Sequence, residues 1–177
     1  MIKIIVLLAI LGIAVVCDLR SRRIPNALVL AGLALAFGFS ALSDDVGPKQ
    51  ALGGFLIGFG AFFPLYLVRV LGAGDVKLTA VTGAFLGINA TLGAMLAGMA
   101  AGGVLAIGYS LYLGRLGEML RGVRLMLYDA VVRVASGSLP KPAEYAGTGI
   151  RLPYSVAIAS GVLILLFMRY WYTGSIT

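Results

Sequence analysis

Two aspartates are the residues of this chain best placed to do chemistry. Asp75 lies in the segment Gly72-Ala73-Gly74-Asp75, directly before an apolar run, and Asp18 directly follows the apolar run that begins at Ile4. A carboxylate beside a membrane-spanning segment is costly unless it faces protein or water, so a functional site is the default interpretation. Two carboxylates about 3 Å apart share one proton, so one can act on water as a general base while the other acts as a general acid.

The composition excludes most other catalytic chemistry. The 177 residues include no histidine and one cysteine, which excludes Ser–His and Cys–His nucleophile pairs, His–Glu zinc motifs and cysteine-rich metal sites. We therefore expect neither a metal nor another cofactor. Of the seven acidic residues, only Asp18 and Asp75 adjoin apolar spans at one common depth. The other five lie in predicted loops or on a predicted surface helix.

The hydrophobic content is typical of a membrane protein. Hydrophobic residues make up 60% of the chain and charged residues 12%, whereas a soluble domain has about 25% charged residues. The net charge of +7 comes from basic residues that cluster in a few segments. Such clusters indicate cytoplasmic loops that orient the protein and attract anionic lipid. We predict an all-α membrane protein with a single domain over residues 1–177.

Hydropathy and turn residues predict about six transmembrane helices, with both termini outside. The predicted spans are approximately 4–17, 25–42, 51–71, 76–87, 92–113 and 153–170. Residues 88–91 are predicted to form an external connector. This topology places Asp18 and Asp75 together at the cytoplasmic face of the membrane.

Two further patterns concern packing and the membrane surface. Gly54 with Gly58, and Gly98 with Gly102, have the spacing of small residues that let helices approach closely. Residues 114–151 are predicted to form a cytoplasmic insert, in which a basic amphipathic helix lies on the membrane surface and a polar loop follows.

Three neighbours of Asp75 are expected to shape the site. Gly72 and Gly74 would permit positive φ angles and let an extended substrate backbone approach closely. Lys77 lies in a first helical turn, where its charge opposes the helix dipole, so we expect it to pair with an aspartate or with lipid phosphate. Structural roles are the competing interpretation: Asp75 could cap the fourth helix, and Asp18 could cap the first helix or pair with nearby arginines.

These features resemble the type IV prepilin peptidases, which are membrane aspartic proteases with a Gly-x-Gly-Asp motif. The resemblance covers nearly the whole chain. It includes the segment Gly72-Ala73-Gly74-Asp75-Val76-Lys77-Leu78, Asp18 with the basic turn Arg20-Ser21-Arg22-Arg23-Ile24-Pro25-Asn26, and Pro153-Tyr154 with Ala157-Ile158. It implies that Asp18 and Asp75 are catalytic. It also implies that the protein removes the short basic leader of a prepilin or pseudopilin at the cytoplasmic face of the bacterial inner membrane.

Within the family, the chain is similar to the short form that accompanies tight-adherence (Flp) pilus systems. The preflagellin peptidases are short relatives and an alternative subfamily. Many family members carry an N-terminal cytoplasmic extension with paired cysteines and methylate the new pilin N-terminus. Here Cys17 is the single cysteine, and we expect no extension and no site for S-adenosylmethionine. The expected partners are prepilin substrates and membrane lipid, and nucleic acid is not among them.

Two other classes of protein agree with part of the sequence. A small proton- or ion-coupled transporter would use intramembrane acids as a relay, but such proteins often have an internal repeat and acids at the bilayer midplane, and neither is evident here. A non-enzymatic pilus or secretion assembly subunit would use the two aspartates only to pair with arginines. The geometry between the carboxylates is the observation that separates these classes, since acid–base catalysis needs direct or single-water reach.

Overall fold

The computed structural model describes residues 2–42, 46–67, 71–136 and 154–174, and these residues form seven helices without a strand. In chain order the helices are α1 (Ile2–Ser21), α2 (Asn26–Leu42), α3 (Pro48–Leu67), α4 (Ala73–Leu86), α5 (Ile88–Tyr112), α6 (Leu116–Ala135) and α7 (Tyr154–Thr173). The predicted all-α class is confirmed. The polar loop predicted over residues 138–151 lies outside the described residues.

Helix α4 is the centre of the bundle. Nine of its 14 residues are buried, and α1, α2, α3, α5 and α7 all contact it. Its side chains Leu78, Val81 and Phe85 belong to one apolar cluster with Leu7 and Leu11 of α1. A helix that is apolar all round is typical of a helix covered by its neighbours on every side. The most enclosed helix of the bundle is therefore the one whose first turn carries Asp75.

Helices α3 and α4 pack with their backbones almost in contact. A Cβ atom on Gly54 would overlap the carbonyl oxygen of Gly83, and one on Gly58 would overlap the backbone of Thr79. The absence of side chains at these positions lets the two helices approach closely. The predicted packing role of Gly54 and Gly58 is confirmed.

Helices α5 and α7 use the second pair of glycines in the same way. A Cβ atom on Gly98 would lie 3.1 Å from the carbonyl oxygen of Ala157, and one on Gly102 would lie 3.1 Å from the Cβ atom of the same residue. A Cβ atom on Gly161 of α7 would in turn overlap the backbone of Gly98. This contact holds the first half of α7 against α5.

Helix lengths confirm only part of the predicted topology. Among the described helices, α1, α3, α5 and α7 are long and apolar enough to cross a membrane, and α2 is a shorter apolar helix. Helix α4 has 14 residues, which reach about 21 Å, whereas the hydrocarbon core is about 30 Å thick. The count of about six spans is therefore not confirmed. Because α4 is enclosed by other helices, its length is set by packing more than by the bilayer.

The connection between α4 and α5 differs from the prediction. The predicted connector Ile88–Thr91 is the first turn of α5, and Gly87 alone separates the two helices. Gly87 has a φ of 78°, a left-handed conformation that glycine adopts without steric cost. The Thr91 hydroxyl donates to the carbonyl oxygen of Gly87 at 2.5 Å. Thr91, one of the polar residues that indicated a loop, thus makes its hydrogen bond at the start of the helix.

Helix α6 lies within the predicted insert and has the predicted amphipathic pattern. Its apolar side chains Leu120, Val123 and Val131 are exposed, and among the described helices only α5 contacts it. Arg115, just before the helix, forms an exposed ion pair with Glu118 at 2.7 Å. An amphipathic helix with an uncovered apolar face and a basic polar face fits the membrane–water interface, where we predicted it.

We expect Gly54→Ala to lower the stability of the protein, because the added methyl group would force α3 and α4 apart. Overpacking of a well-packed interior typically costs about 1–3 kcal/mol. Thermal unfolding of the purified protein in detergent measures the loss. Gly60→Ala is the matched control, since Gly60 lies on the same helix and a Cβ atom there would meet nothing within 4 Å. Equal melting temperatures for the two variants would contradict the close packing of α3 and α4.

Candidate functional site

Asp18 and Asp75 line one cavity at the end of the bundle where α1 ends and α4 begins. The cavity has a volume of about 340 Å³, which is room for several water molecules. Its lining consists of Asp18, Arg22, Arg23, Ile24, Gly72, Ala73, Gly74, Asp75 and Lys77. The two carboxylates are near enough for their charges to interact. The structure therefore brings together all five residues that the sequence predicted for the site.

Asp18 lies in the last turn of α1 and is held from a different helix. The hydroxyl group of Ser155, in the first turn of α7, donates a hydrogen bond of 2.5 Å to Oδ2 of Asp18. Within the described part of the chain, Asp18 forms no ion pair with Arg20, Arg22 or Arg23. The alternative in which Asp18 pairs with these arginines is therefore not found.

The turn after α1 carries positive charge to the cavity. The N–H group of Arg22 donates to the carbonyl oxygen of Asp18 at 2.8 Å, and Arg22 has a φ of 52°. This left-handed conformation ends the helix and is uncommon for a residue other than glycine. It directs the chain across the start of α4, so that Arg22, Arg23 and Ile24 all line the cavity.

Asp75 is the third residue of α4 and is held by the backbone of its own segment. Helix α4 begins at Ala73, with Gly72 as the N-cap residue, so the interpretation of Asp75 as the N-cap residue is wrong. The N–H group of Gly72 donates to Oδ2 of Asp75 at 3.1 Å. This is the bond that an acidic residue at the third position makes to the start of a helix. The Asp75 carboxylate thus both stabilises the start of α4 and lines the cavity.

The two glycines of the motif act differently from the prediction. Gly72 has extended backbone, with φ −77° and ψ 151°, and Gly74 is not among the glycines with positive φ. The prediction of positive φ is wrong because the helix starts before Gly74. The two glycines instead avoid close contacts that a side chain would make. A Cβ atom on Gly74 would lie 3.3 Å from the side chain of Ile24, and one on Gly72 would lie 3.1 Å from Oδ2 of Asp75. Gly74 therefore lets the turn after α1 pack against the start of α4, and Gly72 leaves room for the Asp75 carboxylate beside its N–H group.

Lys77 joins the start of α4 to the start of α2. Its Nζ atom donates to Oδ1 of Asn26 at 2.9 Å, and within the described residues it forms no ion pair with an aspartate. The predicted aspartate partner is therefore not found. With Arg22 and Arg23, Lys77 places three cationic groups around the two carboxylates of the cavity.

Two contributors to the site were missed at the sequence level. Asn26 ends the basic turn and Ser155 lies between Tyr154 and Ala157, so both fall inside segments that carried the family resemblance. Nothing in their local pattern indicates a partner, since Asn26 and Lys77 are 51 residues apart and Ser155 and Asp18 are 137 residues apart. Both contacts depend on how the helices pack.

A larger apolar cavity lies beside the carboxylate cavity. It has a volume of about 480 Å³ and is lined by residues of α3, α4, α5 and α7, including Thr79 and Tyr154. The hydroxyl of Thr79 donates to the carbonyl oxygen of Asp75 at 2.8 Å, and Tyr154 precedes Ser155. An apolar space thus adjoins a water-accessible carboxylate pair, an arrangement suited to acid–base chemistry on a substrate with one apolar and one polar part.

A family model matches the chain. The model of the Type IV leader peptidase family matches residues 5–107, more than half of the 177 residues. The matched part includes most of α1, all of α2 to α4 and most of α5, and therefore both aspartates; Ser155 lies outside it. No curated protein and no solved structure matches the chain significantly.

We expect the contact between Lys77 and Asn26 to stabilise the start of α4. Lys77→Met and Asn26→Ala should each lower the free energy of unfolding by about 0.5–1.5 kcal/mol, and the double variant should lose little more than either single one. Reversible unfolding in detergent measures these energies. Lys49→Met, which alters an exposed lysine in the first turn of α3, is the control. Fully additive losses from the two substitutions would show that the side chains are not coupled.

Proposed function

Because the chain belongs to the type IV leader peptidase family, we propose that it removes the leader peptide of an Flp-like type IV prepilin by aspartic-type hydrolysis. Membership of the family makes the protein a leader peptidase-like protease. The proposal adds the catalytic pair, Asp18 and Asp75, and the substrate class. It is carried by one observation: these aspartates, from two different helices, line the same cavity.

The proposed chemistry uses one proton shared by two carboxylates. The ionised carboxylate takes a proton from a water molecule, which attacks the carbonyl carbon of the leader peptide bond. The protonated carboxyl group donates to the carbonyl oxygen as the tetrahedral intermediate forms. When the carbon–nitrogen bond breaks, the departing amine takes up a proton from the pair. A hydroxyl group of the tetrahedral intermediate returns its proton to the pair as the new carboxylic acid forms, so one shared proton again remains.

The hydrogen bonds of the site support this mechanism because they hold both carboxylates in place. Oδ2 of Asp75 accepts from the N–H group of Gly72, and Oδ2 of Asp18 accepts from the hydroxyl of Ser155. Among the described residues, each carboxylate is therefore held through its Oδ2 atom and makes no hydrogen bond through Oδ1, which can face water, substrate or the other aspartate. Side chains held in this way lose little entropy when the reacting groups align.

The proposed location is the bacterial inner membrane, with the cavity toward the cytoplasm. The end of the bundle that carries the cavity also carries Arg20, Arg22, Arg23 and Lys77, as the positive-inside rule expects of a cytoplasmic end. A prepilin has an apolar segment and a charged leader. The apolar segment would lie along the 480 Å³ cavity within the membrane, and the leader would reach the aspartates from the cytoplasm. The basic turn and α6 would contact lipid headgroups.

We expect Asp18→Asn and Asp75→Asn each to reduce leader cleavage at least about 100-fold, because general acid–base catalysis contributes about 10²- to 10⁴-fold. Cleavage of the cognate prepilin in isolated membranes, followed by the loss of the leader on a gel, measures the rate. Glu118→Gln is the matched control, since Glu118 is an exposed acid on α6 whose partner is Arg115. It should cleave at the wild-type rate.

The same variants separate the enzyme from the other two classes. If the protein is a protease, the Asp18→Asn, Asp75→Asn double variant should be inserted into the membrane and be as stable as the wild type, but inactive. If it is an assembly subunit held together by charge pairs, the double variant should be less stable. If it is a transporter, the double variant should lose ion uptake in proteoliposomes. Unchanged cleavage in both single variants would exclude the proposed mechanism.

A further inference from the structure

We propose that Ser155 is a positioning residue for Asp18. Its hydroxyl group holds Oδ2 of Asp18 and thereby turns Oδ1 toward the water that Asp18 shares with Asp75. This inference rests on the proposed function, because it assigns a role within the same reaction. It concerns a residue on α7, outside the part of the chain that matches the family.

The burial of Ser155 shows that its hydroxyl group needs a partner inside the protein. Ser155 is 0% exposed, and a buried hydroxyl without a hydrogen bond is costly. Its partner is Oδ2 of Asp18 at 2.5 Å, a short distance of the kind found when a hydroxyl donates to a carboxylate. The bond therefore satisfies the hydroxyl group of Ser155 and fixes the orientation of the Asp18 carboxylate.

Among the described residues, five other buried side chains carry a hydroxyl group; that of Ser110 has no hydrogen-bond partner there, and the remaining four bond locally. The hydroxyl groups of Ser40, Thr79, Thr82 and Thr91 each donate to a backbone carbonyl oxygen three or four residues earlier in the chain. Such bonds are local and occur in any helix. Ser155 is the second residue of α7, so its helix has no residue three or four positions earlier. Its hydroxyl is free to reach α1, and it connects the two helices at the depth of the carboxylate pair.

Ser155 can affect the reaction only through Asp18. It is not part of the lining of the carboxylate cavity, and it has no surface through which a substrate could touch it. The start of α7 adds the partial positive charge of a helix N-terminus near the same carboxylate. Without the hydroxyl, the carboxylate plane of Asp18 can rotate, because the terminal torsion of aspartate is broad. Small misplacements of a reacting group have large effects on rate.

The kinetic test uses Ser155→Ala, which removes the hydroxyl and keeps the size. We expect kcat for leader cleavage to fall about ten- to hundredfold, as expected for loss of a hydrogen bond to a charged group, with KM unchanged. Ser155→Thr, which restores a hydroxyl, should recover most of the lost rate. Ser40→Ala is the matched control: Ser40 is buried and donates to the carbonyl oxygen of Phe37, so its kcat should equal that of the wild type. Wild-type kcat in Ser155→Ala would overturn the proposal.

An infrared measurement tests the contact without relying on activity. In protein labelled with ¹³C at the aspartate carboxyl groups, the difference between wild type and Asp18→Asn identifies the Asp18 band. We expect Ser155→Ala to shift this band and Ser40→Ala to leave it in place. An unshifted band in a folded Ser155→Ala protein would overturn the proposal, as would a loss of rate that Ser155→Thr fails to recover with no shift. A shifted band together with full cleavage by Asp18→Asn would instead refute the proposed function and leave the contact intact.

Discussion

The enclosure of α4 is the constraint on which the rest of the structure depends. Five helices surround it, and glycines allow α3 to approach until backbone meets backbone. A helix held this tightly cannot rotate or slide without creating overlaps or voids, both of which are costly in a close-packed interior. Its first turn therefore has a defined position, and Asp75 occupies that turn. The packing of the apolar interior thus determines where one half of the carboxylate pair stands.

The two aspartates reach the same cavity by different physical means. Asp75 depends on a local bond to the N–H group of Gly72, which exists wherever the start of α4 is formed. Asp18 depends on α7, a helix distant in the chain. The Asp75 side chain is thus oriented by a bond within its own segment, and the Asp18 side chain by a contact between two helices. The orientation of Asp18 is therefore sensitive to how α1 and α7 pack, whereas the orientation of Asp75 is not.

Features encoded by local chemistry were readable from the sequence, and those that depend on packing were not. Asp18 and Asp75 stand out because charged residues are rare beside apolar runs, and hydropathy predicts α2 nearly to its ends. The start of α4 was missed because hydropathy does not locate a cap residue, so Gly74 was assigned a turn conformation. Asn89 and Thr91 resemble a loop by composition, yet Gly87 makes a turn of one residue. The partner of Asp18 was out of reach, because no local pattern reports a contact between α1 and α7.

The bond between Ser155 and Asp18 also sets an order of events during biosynthesis. Its partners are 137 residues apart, and a ribosome adds about 5–20 residues per second, so α1 enters the membrane about ten seconds before α7 is made. During that interval Asp18 lacks its partner. The carboxylate site matures only when α7 inserts beside α1. A nascent chain therefore passes through the membrane-insertion machinery before its site is complete, and insertion of α7 is the step that completes it.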